Sequence, residues 1–189
     1  MFPGMSEGKQ ERRLLGPCTR QIPAGDSRER LVCVDCGFIN YENPKIVLGS
    51  VATWDGRILL CKRSIEPRLG YWTLPAGYME LGETAPEGAV REAREEANAS
   101  IEIDQLLAVY SIPRIGQVQL MYRARLLSPD VSAGEETEAV GLFTWDAIPW
   151  DQLAFPSVGW ALRHYAETRD EPSFIPRSNP PGELGNMAR

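Results

Sequence analysis

Residues 84–97 restrict what this chain can fold into more than any other stretch. Thr84 followed three residues later by Glu87 is a capping-box pattern, which opens a helix. At about 100° per residue, Glu92 and Glu96 stack one turn apart, and Glu95 sits within about 60° of Glu92. Gly88 lies one turn before Glu92 on that side, so nothing bulky crowds the acids. Ala85, Ala89, Ala93, Ala97 and Val90 fall on a different side, a stripe of small residues suited to close packing on a sheet. The helix must therefore present one face to a core and a separate acidic face elsewhere.

Three like charges on one helical face repel, each i,i+4 pair costing a few tenths of a kcal/mol. A hard divalent cation turns such a cluster into a favourable one. Mg²⁺, or Mn²⁺ in its place, takes oxygen ligands, keeps several waters and is commonly completed by substrate phosphate oxygens. Bound here, it would neutralise a pyrophosphate and activate a water for attack on phosphorus. Taken alone, the helix reads more readily as a solvated acidic face.

The remaining elements indicate a mixed α/β sandwich. Residues 46–54 are rich in β-branched side chains, and 57–63 form a second strand-like run. Asp55-Gly56 between them is a two-residue hairpin signal. Trp72-Thr73-Leu74-Pro75 reads as a short strand entering a glycine-containing loop. Strand-like runs follow the helix over 101–112, 118–127 and 140–145, the last preceded by an acidic, glycine-containing loop over 130–138. A final helix is expected after Pro156-Ser157, carrying Trp160, Leu162 and Tyr165. Residues 1–17 read as a flexible N-terminal tail, 18–43 as a separate short segment, 44–170 as the main domain and 171–189 as a C-terminal tail.

Composition narrows the function classes. The net charge of −6 gives no overall attraction to nucleic acid or to an acidic membrane surface. No stretch approaches the ~20 apolar residues that span a bilayer, and the N-terminus lacks the apolar core of a secretory signal. Four unevenly spaced cysteines do not form a disulfide framework, so the expected compartment is the cytoplasm. The one histidine, His164, sits in the last helix, where a surface or packing role is expected. Acid and base chemistry then falls to carboxylates.

Residues 77–99 resemble the Nudix box. Five residues separate Gly77 from Glu83, seven separate Glu83 from Arg91, and Arg91-Glu92 and Glu95-Glu96 complete the pattern. Asn98 stands where the family has Gly; Asn is the next most tolerant residue of the left-handed conformation that ends helices. The resemblance implies a Nudix α/β/α sandwich with a mixed sheet. It makes Glu92, Glu95 and Glu96 metal ligands with Glu83 near them, and has Arg91 orient a glutamate. Glu95, Glu96 and Arg91 are the expected catalytic residues. Members often add a glutamate from a later loop, and Glu136 in Gly134-Glu135-Glu136-Thr137-Glu138 is favoured. Arg63, Gly77 and Trp72 are candidates for substrate binding, with Tyr78 or Phe155 also available for ring stacking.

Asn43-Pro44-Lys45-Ile46-Val47, Leu60-Cys61-Lys62-Arg63 and Gly70-Tyr71-Trp72-Thr73-Leu74-Pro75-Ala76-Gly77 extend the likeness. So does Ile148-Pro149-Trp150 with Leu153-Ala154-Phe155. Together they resemble a branch that hydrolyses FAD, ADP-ribose and related dinucleotides, releasing AMP, and that carries an N-terminal zinc ribbon. Here only one knuckle, Cys33 and Cys36, is intact. The other falls near Glu11 and Leu14, and Cys18 is out of register. Zinc on Cys18, Cys33, Cys36 and a fourth group is the alternative to a degenerate, ribbon-like segment without metal. Cys61 is expected in the core. The NADH-cleaving branch carries a Ser-Gln-Pro-Trp-Pro-Phe run, and the corresponding region here is Val109-Tyr110-Ser111-Ile112-Pro113-Arg114. The expected partner is a small nucleotide, with no nucleic acid and no membrane; a homodimer is left open. NADH or another dinucleotide, and a non-catalytic nucleotide sensor, stand as alternatives.

Overall fold

Three short strands open the computed structural model, which describes residues 16–186. They are β1 (Thr19–Gln21), β2 (Arg30–Val32) and β3 (Ile39–Asn40), paired antiparallel in that order. The connection between β2 and β3 is a knuckle. Gly37 at φ 73° lets its N–H reach the Cys33 carbonyl at 2.8 Å, and the Cys33 N–H reaches the Phe38 carbonyl at 2.8 Å. Backbone N–H groups of Cys36 and Asp35, followed by the Cys36 side chain, hold the Cys33 thiol below its usual range. Among the described residues no three His, Cys, Asp or Glu side chains gather into a metal-holding group. Cys33 and Cys36 meet in this knuckle, and Cys18 is exposed just before β1. Glu11, Leu14 and all but the last two residues of the expected N-terminal tail lie outside the described residues.

Contacts divide the chain at Asn43 and Pro44. In the second unit, Asp55 and Gly56 take φ values of 48° and 72°, the paired left-handed geometry of a tight hairpin. They join β4 (Lys45–Trp54) to β5 (Arg57–Arg63). Two short strands return along this hairpin: β6 (Trp72–Thr73) on β5 and β7 (Ala76–Tyr78) on β4. After α1 (Ala85–Ala97) come β8 (Ile101–Ile112), β9 (Gln117–Leu126) and β10 (Thr137–Phe143), and then α2 (Pro156–Thr168). The long strands are ordered β10-β5-β4-β9-β8, with β4 and β9 parallel and the other neighbours antiparallel. β10 begins three residues before its expected start, because Thr137 already pairs with Arg63.

Both faces of this sheet are buried, which is why β5 reads as the unbroken apolar run Ile58-Leu59-Leu60-Cys61. Ile58 and Leu60 join Val51, Leu107, Tyr110, Trp160 and Leu162 in the core beside α2. Leu59 and Cys61 point the other way, onto Ala93 and Ala97 of α1. Ala89, Ala93 and Ala97 are fully buried, so the small-residue stripe does bring the helix close to the sheet. His164 accepts or donates at Nδ1 with the Tyr110 hydroxyl at 2.7 Å, a packing contact under α2.

The segment expected as a C-terminal tail is instead fastened to the exposed edge of β8. Val109 donates to the Arg177 carbonyl and Arg177 to the Leu107 carbonyl, each at 2.9 Å. The Asn179 side chain continues the pairing: Oδ1 accepts from the Ser111 N–H at 2.8 Å, and Nδ2 donates to the Ser111 carbonyl at 2.9 Å. Arg123 binds this segment to α2, donating to the carbonyls of Thr168 at 2.5 Å and Glu171 at 2.9 Å, beneath the Phe174 ring. An edge strand offers unpaired backbone groups that something must cover. Composition rich in Pro and Gly disguised this role.

Helix α1 ends at Asn98, which takes φ 48°. Its Nδ2 donates to the carbonyl and hydroxyl of Ser132 at 3.2 and 3.1 Å. Left-handed backbone favours Gly, whereas the side-chain bonds contribute about 0.5–1.5 kcal/mol. Asn98→Gly should therefore change stability by less than about 1 kcal/mol, and Asn98→Ala should lose about 1–2 kcal/mol. Urea unfolding of the two variants measures this; equal losses would refute it. For the first unit, elemental analysis of purified chain should find well under one zinc per molecule, because two cysteines supply half a tetrahedral set.

Candidate functional site: a glutamate-lined cleft

Helix α1 is set by its first turn. Glu87 Oε2 accepts both the Thr84 N–H at 2.8 Å and its hydroxyl at 2.6 Å, and Pro86 occupies a position where no N–H is needed. The rotation so fixed turns Glu92, Glu95 and Glu96 toward a cleft of about 1620 Å³. That volume exceeds the ~300–1,000 Å³ of ordinary small-molecule pockets. Arg63, Gly77, Arg91 and Glu136 also line it.

Arg91 organises the acids. Its Nε and Nη2 donate to the two oxygens of Glu83 at 2.9 and 2.8 Å, a bidentate pair. Nη1 donates to Glu92 at 2.7 Å and Glu95 at 2.8 Å, and Nη2 also reaches the Tyr78 carbonyl at 2.9 Å. Glu83, expected near the metal ligands, thus has both oxygens on Arg91, and one of them also accepts the Glu80 N–H at 2.7 Å. The guanidinium holds its carboxyl down at about 2. Glu95 is the most open of the three, its side chain 58% exposed.

Glu96 differs from its neighbours. It is half-buried and accepts the Ala76 N–H at 3.2 Å. Burial pushes its carboxyl up to about 8; the charges of Glu92 and Glu136 add to the rise, and the Ala76 N–H and Arg63 oppose it. Burial likewise raises Glu92, against the pull of Arg91. Glu136 lines the same cleft, and its charge acts on Glu96.

Three glycines make the arrangement possible. A Cβ at Gly77 would lie 2.3 and 2.4 Å from the Glu92 carboxylate oxygens, so β7 must offer bare backbone there. At Gly88 it would meet Leu48 at 2.2 Å and Glu83 at 2.6 Å. The helix thus presses against a neighbour at this point, where the sequence suggested open space. A Cβ at Gly134 would fall 1.7 Å from the Glu95 carbonyl. The acidic loop closes the end of α1: Gly134 and Ser132 donate to the carbonyls of Glu96 and Ala97, each at 3.0 Å. Sequence reading missed Gly134; its one signal was a glycine inside an otherwise charged loop. Trp72 does not line the cleft. It packs on the core and meets Phe143 edge-on at 4.9 Å. Tyr78 and Phe155 do line it, under Lys45 and Arg63 respectively.

Among the described residues no three acidic side chains form a ready-made metal cage. The donors nevertheless fit a hard cation that keeps most of its water, being oxygen-only and mounted on one helix. A half-buried Glu96 whose ionisation is held back is the expected signature of a carboxylate awaiting positive charge. A cation binding the ionised form must displace the proton, so Mg²⁺ affinity should climb with pH up to about 8 and level off above it. Calorimetry at pH 7 in buffers of different ionisation enthalpy should find close to one proton released per Mg²⁺. Release undiminished in Glu96→Gln would contradict the assignment.

Comparison with known proteins agrees with this geometry. Residues 45–165 match the NUDIX domain family, and residues 16–42 match the zinc-ribbon family described as Nudix N-terminal. A crystal structure of a Nudix hydrolase from Nitrosomonas europaea is 44% identical with a TM-score of 0.81, covering 87% of this chain and 94% of that one. An ADP-ribose pyrophosphatase of Methanocaldococcus jannaschii is 31% identical over 119 residues, 61% of this chain and 69% of that protein. NAD-capped RNA hydrolase NudC of Pseudomonas aeruginosa is 26% identical over 140 residues, 72% of this chain but 49% of that protein. This chain thus spans about half the length of that relative. With the family match covering most of the second unit and the box glutamates gathered at its cleft, the chain belongs to the Nudix family and is a Nudix hydrolase.

Proposed function

We propose that this protein hydrolyses the pyrophosphate bond of a nucleoside diphosphate linked to a second moiety, with ADP-ribose as the preferred compound. One observation carries the reading: the box glutamates open onto a cleft roomy enough for both halves of such a molecule. Likeness to an enzyme named ADP-ribose pyrophosphatase supports it. FAD, of the same chemical class, is the next compound to test.

A bound Mg²⁺ would neutralise the diphosphate and acidify the attacking water. Glu92, Glu95 and Glu96 would hold that cation. Glu83 acts through Arg91, keeping the guanidinium where it orients Glu92 and Glu95. Glu136, facing them from the loop, accepts the proton of the attacking water. Arg63, which also lines the cleft, meets the diphosphate, and Phe155 or Tyr78 stacks on a ring. Water adds to one phosphorus, the bond to the bridging oxygen breaks, and AMP and ribose 5-phosphate leave.

Glu96→Gln should keep the fold and lower kcat by roughly 10²-fold or more. Glu87→Gln removes only the charge of a helix cap and should leave kcat nearly unchanged. Product analysis over ADP-ribose, FAD, NADH, diadenosine polyphosphates and nucleotide sugars, with and without Mg²⁺, tests the substrate. A tenfold higher kcat/KM for NADH or a nucleoside triphosphate than for both ADP-ribose and FAD would overturn the choice of compound. Wild-type turnover by Glu96→Gln in saturating Mg²⁺ would overturn the roles.

A further inference from the structure

The strap fastened to the edge of β8 continues past its anchors and returns to the site. Beyond Asn179, whose Nδ2 also holds the Glu183 carbonyl at 3.0 Å, the chain turns back so that Gly185 is buried against Ile112. The fit is tight: Gly185 has φ 73°, and a Cβ there would lie 2.7 Å from the Ile112 Cδ1. Only glycine satisfies both the backbone and the contact. Ile112 ends β8, and the turn that follows carries Arg114 and Ile115. All three, with Gly185 itself, line the same cleft as the glutamates.

We propose that this strap is the specificity wall of the cleft, limiting the size of the group attached to the diphosphate. The inference rests on the reading of the cleft as a site for nucleoside diphosphates linked to a second moiety. The wall is held by backbone pairing at Arg177 and by the two-sided Asn179–Ser111 pair. It is therefore anchored to the sheet and does not depend on the ligand to assemble. Ile115, which is exposed, gives that end an apolar surface, with Ile112 buried beneath Gly185, and Arg114 gives it one cation. A compact sugar end can rest there, whereas a bulky planar ring system meets the strap. Removing the strap should relieve the larger ligand and deprive the smaller one of a contact.

The test is a chain lacking residues 183–189, which keeps the Arg177 pairing and the Asn179–Ser111 pair, compared with the intact chain. A second variant, Gly185→Val, displaces the strap from Ile112 without shortening it, and is read in the same way if the truncated chain fails to fold. Melting temperature reports folding. Equilibrium binding of ADP-ribose and of FAD is measured with Ca²⁺ in place of Mg²⁺, and hydrolysis of each with Mg²⁺. The ratio of Kd for FAD to Kd for ADP-ribose should fall at least about fivefold in the altered chain. An unchanged ratio, with both constants the same or moved by one common factor, would overturn the wall. An intact chain that binds both compounds and cleaves neither, with the ratio still shifted, overturns the proposed reaction and leaves the wall standing. An intact chain that binds neither overturns both.

Discussion

Arg91 stands among four acidic or carbonyl partners that would otherwise repel one another or lie unpaired. Three glutamates within five positions of one helix, Glu92 to Glu96, carry a mutual repulsion of a few tenths of a kcal/mol per neighbouring pair. The guanidinium offsets it because its planar fork reaches several acceptors at once, which a lysine ammonium on a single point could not. Glu83 takes two donors, Glu92 and Glu95 share a third, and the Tyr78 carbonyl takes part of the fork as well. Strand β7, the loop that follows it and the middle of α1 are thereby tied at one point. The Gly77 backbone must then stand against Glu92, and Gly88 against Leu48 and Glu83.

That knot also separates the roles of the glutamates. Arg91 pairs with Glu83, Glu92 and Glu95, while Glu96 has no bond to it and is raised by burial and by the charges of Glu92 and Glu136. Glu83, held low by Arg91, and Glu96, raised by burial, therefore differ in their affinity for a proton. A site built to receive a cation needs this inequality. If all the acids were already neutralised there would be little gain on binding, and if none were the helix would carry the full repulsion.

How far this was legible depended on the distance over which each feature is encoded. The Asp55-Gly56 turn and the Thr84–Glu87 cap are set by neighbours within a few positions, and each took the expected form. The box spacing located the acids as well. Gly134 was invisible because its requirement comes from the Glu95 carbonyl, far away in sequence. The same is true of the C-terminal strap: its partners, Leu107, Val109 and Ser111, lie on an edge whose exposure depends on the whole sheet order. Trp72 misled for a related reason. An aromatic beside a glycine-containing loop can face either a cleft or a core, and only the pairing of β6 with β5 directs it onto Phe143.

A net charge of −6 looks ill-suited to a protein that takes a diphosphate, yet its effect at the site is small. At physiological ionic strength exposed charges more than about 8 Å away are largely screened, so what the ligand meets is the local inventory. Arg63, Arg94 and Arg114 line the cleft, and a divalent cation on the glutamates would reverse the sign of its most acidic wall. In the proposed function, the acidity of α1 would be the means by which positive charge is recruited to the diphosphate. It would also make the site conditional: without the cation the same face would repel the ligand, which would couple substrate binding to metal in a way that a cleft lined by arginine alone would not.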